Sequence, residues 1–253
     1  MSTTAPTMTT PARTIPAEAL VRRPADGRGG ADHGWLKTKH SFSFANYYDP
    51  KNVHFEALRV INDDYIAGGG GFPMHPHQDF EIFSYVLEGA LQHRDSMGNG
   101  SIVSAGGIQY MTAGRGVRHS EFNPSDTDTT HILQIWLMPK VRGAEPRYET
   151  RDLSEAEKRG QLALFISEDG RDGSIETLAP AEVYAGLFDG DEATSFTLKE
   201  GRSGYLHVAS GAVSVNGQHL EAGDALEIHA AGELTISDGA HAEVLLFDLA
   251  KLN

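Results

Sequence analysis

The feature that most constrains the fold is a succession of short strand-like runs separated by turns that contain glycine. Residues 55–61 and 82–87 are rich in β-branched and aromatic side chains, and each run is followed by Gly, Asn or Asp. Residues 95–100, Asp-Ser-Met-Gly-Asn-Gly, tolerate the positive φ angles of a hairpin turn and separate two such runs. The pattern predicts an all-β fold.

One helical stretch interrupts the strands at residues 154–160. Ser154 is a typical N-cap residue, Glu157 stands at the capping-box spacing, and Gly160 ends the stretch. Because the stretch is short, we expect it to connect two domains rather than to form a layer of its own.

A weak internal repeat of glycine turns supports two domains. Three turns in the first half have ordered counterparts in the second half, and apolar runs flank both sets. The first set is at residues 88–90, 105–107 and 113–114, and the second is at residues 210–212, 222–224 and 231–232. The length suits two barrels of about six to eight strands, whose closure would remove exposed strand edges.

The predicted division of the chain follows from this repeat and from the composition of the N-terminus. Residues 1–14 are rich in Thr, Ala and Pro without periodicity, which predicts a flexible tail. We expect an N-terminal, metal-binding domain at residues 15–143. A C-terminal domain without a metal site is expected at residues 144–253.

Two pairs of metal-ligand residues lie in the N-terminal half. Residues two apart on a strand point the same way, so His75 and His77 present two imidazoles on one face. By the same spacing, His119 and Glu121 present an imidazole and a carboxylate. The chain has no cysteine, so a metal here must be held by His, Asp or Glu. A lone His-x-His pair is a weak signal, but two pairs joined by a glycine-punctuated β segment are much stronger.

The charge of the chain argues against direct nucleic-acid binding. The formal net charge is −14 and the isoelectric point is about 5.2, and polyanions are bound by clustered Lys and Arg. No stretch approaches the roughly 20 apolar residues that cross a bilayer, and the N-terminus lacks the pattern of a secretory signal. We therefore expect a cytoplasmic protein without membrane contact.

Motifs in the first half resemble those of known families. Residues 75–81, which follow Gly69, resemble the first cupin motif, and residues 119–123 resemble the second. Four segments look like the pirin family, in particular its bacterial quercetinase-like members: residues 28–35, 40–44, 74–77 and 112–121. The resemblance extends from about residue 20 to the C-terminus.

The resemblance implies a bicupin, that is, two β-barrel (jelly-roll) domains with short connecting helices. Carried over residue by residue, it implies one divalent transition metal held by His75, His77, His119 and Glu121. Fe(II) is the usual metal of the family, and Mn, Ni, Cu and Zn are alternatives. Many cupins use the Glu of the first motif instead, and Glu81 shares strand parity with the first His pair. The pirin pattern favours Glu121 and leaves Glu81 either packed or beside the ligands.

The resemblance also implies an activity. It is that of a metal-dependent dioxygenase which cleaves flavonols such as quercetin with O₂, a quercetin 2,3-dioxygenase, with Glu121 helping to remove the proton of the flavonol 3-hydroxyl. One alternative is an iron-dependent regulatory binding protein that acts through protein partners. Another is a cupin isomerase or lyase that uses Zn or Mn as a Lewis acid.

The second half repeats the strands without the ligands. Thr197 and Lys199 stand where His75 and His77 would lie relative to the hairpin glycine. Neither residue type is a usual metal ligand in such a site, which is why we predict that the C-terminal domain has none.

None of the remaining histidines has another histidine two positions away. We interpret His207, His219 and His229 as core or surface residues scattered over the predicted strands and turns; of these three, only His219 has an acidic residue at the i+2 position, Glu221. In the first half, His40 and His54 are candidates to line the pocket.

Overall fold

The computed structural model describes residues 13–252, which are almost entirely strands and turns. Within these residues there are twenty β-strands, one α-helix, α1 (Glu155–Lys158), and three 3-10 turns, Ala17–Ala19, Ala25–Gly27 and Arg171–Gly173. The strands are β1 Leu20–Arg23, β2 Gly29–Asp32, β3 Leu36–His40, β4 Leu58–Ile66, β5 Gly71–His77, β6 Glu81–Glu88, β7 Ala90–Asp95, β8 Gly100–Ser104, β9 Gly107–Thr112, β10 Val117–Phe122, β11 Thr130–Leu137, β12 Arg147–Asp152, β13 Ala163–Ser167, β14 Ile175–Glu176, β15 Ala181–Gly190, β16 Thr194–Leu198, β17 Arg202–Val215, β18 Gln218–Glu221, β19 Ala225–Ile228 and β20 Gly232–Ala250.

The first half of the chain forms two antiparallel sheets. The larger has the order β12-β9-β6-β11-β4-β3-β2, and the smaller has the order β5-β10-β7-β8. In the second half, one sheet runs β1-β19-β17-β20-β15-β13-β14, with β16 beside β20 and β18 beside β17. The all-β bicupin prediction is confirmed as two jelly-roll-like units, although the sheets do not close into full barrels.

Each unit includes one strand from the chain segment that was predicted for the other unit. Strand β1 pairs with β19 of the second unit, and β12 pairs with β9 of the first. Residues 1–12 of the predicted tail lie outside the described residues. Arg13 and Thr14 pair with the backbone of Glu233 at the start of β20. The division of the chain at residue 143 stays a prediction.

An aromatic core joins the two units. Phe83 and Tyr85 of β6 pack against Phe165 of β13, with ring centroids 5.9 Å apart in each pair, and the same buried cluster contains Tyr205 and Phe247. Complete burial of one such side chain contributes about 1.5 to 3 kcal/mol. One face of β6 therefore points into the interior of the first unit. The opposite face, which carries Phe83 and Tyr85, packs against the second unit.

Local predictions fared differently. Helix α1 has the predicted capping box, with Ser154 and Glu157 bonded reciprocally, and the hairpin between β7 and β8 is confirmed, with the Asp95 carboxylate accepting two turn N–H groups. The predicted strand at residues 55–61 is wrong at its start, because Glu56 has a φ of 48° and the chain turns before β4 begins at Leu58.

No helix among residues 13–252 is long and apolar enough to cross a membrane; the cytoplasmic location stays a prediction.

His207 of β17 is a core residue. It is fully buried, and neither ring nitrogen has a hydrogen-bond partner within the described part of the chain. Burial lowers the pKa of His207 to about 4 from its ordinary value of 6.5, so the ring is neutral at pH 7. His219 and His229, by contrast, are exposed.

The buried His207 should make stability depend on pH. Its folded-state pKa lies below its unfolded value, so its contribution to stability is fully present above pH 6.5 and is lost as pH falls towards 4. A pKa shift of this size corresponds to a loss of about 3 kcal/mol in the free energy of unfolding over this pH range. We expect His207→Leu to flatten the fall in unfolding free energy between these pH values by about that amount, measured by urea denaturation at each pH. His219→Leu is the exposed control and should follow the wild type. A wild-type slope in His207→Leu would contradict the assignment.

Candidate metal centre

Three imidazoles meet where β5 and β10 pair. His75 lies directly opposite His119 in this antiparallel register, and His77 lies opposite Val117. One ring nitrogen from each of His75, His77 and His119 lies within 4.8 Å of the other two. His75 and His77 are half-buried at the edge of the unit, while His119 is buried. The sheet register thus brings together two histidine-containing motifs 42 or more positions apart in the sequence.

The spacing of these nitrogens fits a first-row transition ion. The Nε2 atoms of His75 and His119 are 3.1 Å apart. Two nitrogens each about 2.1 Å from one ion, at right angles, would be about 3 Å apart. Nδ1 of His75 lies 2.8 Å from the carbonyl oxygen of Pro73 and must donate to it, which leaves the lone pair of Nε2 for a metal.

The protonation state of the cluster also fits a ligand role. Burial lowers the pKa of His77 to about 3 and that of His119 to about 4. Both rings are therefore neutral at pH 7, and a metal need not displace a proton from them.

Glu121 follows His119 by two residues on β10 and is buried inside the same unit, with 1% of it exposed. Its Oε1 accepts hydrogen bonds from Ser84 Oγ, at 2.8 Å, and from Gln109 Nε2, while Oε2 accepts from Gln134 Nε2 at 3.2 Å. Burial would raise the pKa of Glu121, but the His119 ring and the Ser84 hydrogen bond outweigh it and lower the pKa. The carboxylate is therefore ionised, as a ligand must be. It is outside the set of three mutually close ligand groups, and its role as the fourth ligand stays a prediction.

Comparisons with known proteins establish the family. A family model described as Pirin matches residues 21–137, and one described as Quercetinase C-terminal cupin domain matches residues 164–249. A protein of Escherichia coli K12 named quercetin 2,3-dioxygenase is 46% identical over 227 residues, which cover 90% of this chain and 97% of that protein. The chain is a member of the pirin family. A pirin-like protein of Caulobacter vibrioides is 45% identical over 232 residues, which cover 90% of this chain and 99% of that protein.

Solved structures agree with this assignment. The crystal structure of the Escherichia coli pirin YhhW in complex with nickel(II) superimposes with a TM-score of 0.87 at 45% identity, covering 92% of this chain and all of that one. A quercetin 2,3-dioxygenase from Acinetobacter baumannii, at 21% identity and a TM-score of 0.75, covers 96% of this chain and 88% of its own. At that identity it shows a shared fold alone.

In this pirin family member, Glu81 does not share a face with the imidazoles. Strand β5 ends at His77, and β6 begins at Glu81 after a turn in which Asp79 has a φ of 55°. The alternation of side chains is interrupted there, so the parity that grouped Glu81 with the first His pair is wrong. On β6, Ser84 contacts Glu121, whereas Glu81 lies on the opposite face.

Glu81 is instead held at the junction of the two units. Its Oε2 accepts from the hydroxyls of Tyr110 and Thr112 and, at 3.4 Å, from the backbone N–H of Leu178. Burial raises the pKa of Glu81. The side chain therefore contributes to packing between the units rather than to the metal centre.

His93 and Tyr148 lie beside the centre and were not identified from the sequence. The His93 ring stacks on Tyr148 at a centroid distance of 4.1 Å, lies 5.3 Å from the His119 ring, and has Nε2 3.2 Å from the Asp95 carboxylate. Both line a small cavity of about 10 Å³ next to Glu121, which is room for about one water molecule. The spacing of His93 and Asp95, two residues apart on a strand, was the available signal.

The two other candidate pocket histidines lie elsewhere. His40 Nδ1 donates a 2.7 Å hydrogen bond to Asn62 Oδ1, and the ring packs against Phe44. Phe44 in turn contacts Trp136, which contacts His77, so two aromatic rings separate His40 from the centre. The exposed His54 bonds the carbonyl of Glu56. The prediction that His40 and His54 line the pocket is wrong.

An open groove lies on the solvent side of His77. Its volume is about 440 Å³, and it is lined by Pro76, His77, Gln78, Ser96, Gly116, Val117 and Arg118. This volume falls in the range of small-molecule sites, roughly 300 to 1,000 Å³. A ligand of that size can reach His77 from the groove, whereas the small cavity beside His119 has no room for it.

Proposed function

We propose that the chain is a metal-dependent dioxygenase that cleaves flavonols such as quercetin with O₂. The observation that carries the proposal is the cluster of three imidazoles, one of which, His77, lines an open groove. The 46% identity to an Escherichia coli protein named quercetin 2,3-dioxygenase supports the choice of reaction. The alternative proposals, a regulatory binding protein and an isomerase or lyase, have no comparable support.

His75, His77 and His119 would hold the metal, with Glu121 as the fourth ligand. The nickel(II) complex of the Escherichia coli pirin supports a divalent transition ion in such a site. We propose Fe(II) here, because three imidazoles and one carboxylate form the mixed N/O set that suits it, and Mn, Ni, Cu and Zn are alternatives. When bound, the metal would supply open positions for the flavonol 3-hydroxyl and O₂ and the electron transfer that ring opening requires.

The groove would orient the flavonol. Pro76 and Val117 offer apolar surface to an aromatic ring, and Gln78 and Arg118 offer donors to its hydroxyls. Because the cavity beside His119 and Glu121 holds about one water molecule, the flavonol would bind from the groove with its 3-hydroxyl directed inward.

Glu121 would receive the proton of the 3-hydroxyl. Three donors hold its carboxylate in one position, and its lowered pKa keeps it ionised before substrate binds. General-base assistance of this kind typically contributes 10² to 10⁴-fold. Ser84, Gln109 and Gln134 act by positioning this acceptor.

Oxygen consumption tests the proposal. Protein loaded with Fe(II), and checked by elemental analysis for about one metal per chain, should consume O₂ when quercetin is added, in proportion to the quercetin that disappears. Protein loaded in parallel with Zn(II), which has no redox chemistry, is the control and should consume none. If no redox-active loading gives oxygen uptake with quercetin, the dioxygenase proposal fails.

A further inference from the structure

A second pocket lies between the two units, apart from the metal centre. Its volume is about 280 Å³. Ser41 and Asn52 of the first unit line one side, and Tyr205 and Ala225 of the second unit line the other. Neither the metal chemistry nor the proposed dioxygenase reaction uses this pocket.

Three arginines dominate its wall. Arg22 and Arg23 of β1 and Arg28 of the loop that follows are the charged side chains among the described lining residues. Each is paired with one carboxylate that does not line the pocket: Asp224 at 2.6 Å, Glu227 at 2.7 Å and Asp63 at 2.9 Å, respectively. The pocket thus presents cationic groups in a chain whose net charge is −14.

The guanidinium groups retain unused donors. A guanidinium has five N–H groups. Within residues 13–252, Arg22 makes one side-chain hydrogen bond. Arg23 makes two, to Glu227 and to the carbonyl of Ser41, and Arg28 makes two, to Asp63 and the carbonyl of Ala25. The carboxylates orient the arginines without saturating them, which leaves planar pairs of donors for another oxyanion.

A buried hydroxyl in the same wall is an independent sign of a ligand. Ser41 is 3% exposed, and its Oγ has no hydrogen-bond partner among the described residues. Leaving a buried hydroxyl unpaired is unfavourable, so most such groups have a partner. A ligand oxygen would provide one if the wall shifts on binding, because the Oγ atom is closed to solvent in this structure.

We propose that this pocket binds a small organic oxyanion, carrying a phosphate group or clustered carboxylates. Both groups match the fork geometry of arginine, and the unused donors of three arginines can bind several oxygens at once. The volume of about 280 Å³ suits a metabolite of few heavy atoms and excludes a polyanion chain. A flavonol has no such group, so this ligand is distinct from the substrate of the groove.

Binding there would strengthen the contact between the units. Arg22 belongs to a strand of the second sheet, while Arg28 is anchored to Asp63 on β4 of the first. An anion held by both would bridge the two sheets. Because the site includes parts of both units, it exists only in the folded chain, and the ligand should raise the melting temperature.

Titration calorimetry and melting curves of the metal-loaded full chain test this inference, with inorganic phosphate and citrate as probes. We expect saturable binding of at least one probe, one per chain, with a rise in melting temperature. Arg22→Gln should weaken binding at least 10-fold, because it removes a charged donor; the Arg22 side chain is 49% exposed, so we expect the variant to fold. Arg159→Gln is the matched control, since Arg159 is 44% exposed and also paired with carboxylates, and it should bind like the wild type.

Two further variants separate the arginine pocket from the metal centre. Ser41→Ala removes only the unpaired hydroxyl and should weaken binding several-fold without lowering the melting temperature of the free protein. Phosphate can also ligate a metal, so the titration is repeated with His75→Ala, in which binding should persist. The inference is overturned if neither probe binds saturably, if Arg22→Gln binds like the wild type, or if binding disappears in His75→Ala. Tighter binding of phosphate or of citrate identifies the ligand class.

Discussion

Removal of one imidazole, by His75→Ala or His119→Ala, is expected to reduce bound metal from about one ion per chain to a small fraction and to abolish oxygen uptake with quercetin. The Nε2 atoms of these two residues are 3.1 Å apart and face each other. Loss of either one removes one of the four proposed ligands and leaves an under-coordinated site, which should lose its ion on dialysis. We expect the affinity for metal to fall at least about 100-fold. Even the mutation of a residue that only hydrogen-bonds to a metal ligand typically lowers metal affinity or activity 10- to 100-fold.

Elemental analysis after dialysis measures this loss, and melting curves confirm that each variant is folded. His54→Ala is the matched control, because His54 is an exposed histidine of the same unit whose ring bonds only the carbonyl of Glu56 within the described chain. It should retain the wild-type metal content. Full metal retention in both His75→Ala and His119→Ala would show that the three-imidazole cluster is not the metal site.

The architecture followed from local patterns, but the pairing of distant strands did not. Alternating apolar runs and glycine turns predicted strands, and the capping box at Ser154 predicted α1, because both depend on residues close in sequence. The pairing of β1 with β19 joins Leu20 to Ile228. This pairing depends on which edge strand of the second sheet lacks a neighbour, and no pattern of residues close in sequence predicts that.

The site was predictable to the extent that strand alternation held. His75 and His77, and likewise His119 and Glu121, keep their spacing along unbroken strands, so each pair shares a face. The positive φ of Asp79 breaks the alternation before β6, and Glu81 therefore lies on the other face from the one its spacing predicted. The packing of His93 beside His119 depends on the register of β7 with β10, which the sequence does not fix.

Changing Glu121 to Gln and changing Glu81 to Gln should have different effects on metal binding and oxygen uptake. In Glu121→Gln the negative charge beside His119 is lost, together with the acceptor for the flavonol proton. The fold should survive, because the side-chain amides of Gln109 and Gln134 can rotate to accept from the new amide group. We expect metal affinity to fall at least about 10-fold and oxygen uptake with quercetin to fall at least about 100-fold, even at saturating metal.

Glu81→Gln is the matched control for this charge loss, since Glu81 is equally buried, at 1% exposure, on a strand of the same unit. Its amide oxygen can still accept from the Tyr110 and Thr112 hydroxyls, so we expect a stability change of about 1 kcal/mol with metal content and oxygen uptake near the wild type. Elemental analysis, oxygen uptake and melting curves on both variants measure the difference. The opposite result, metal lost in Glu81→Gln and kept in Glu121→Gln, would mean that the Glu of the first cupin motif is the ligand. The chain would then have to rearrange around Asp79 to bring Glu81 to the imidazoles, because the face of β6 that carries Glu81 packs against the second unit.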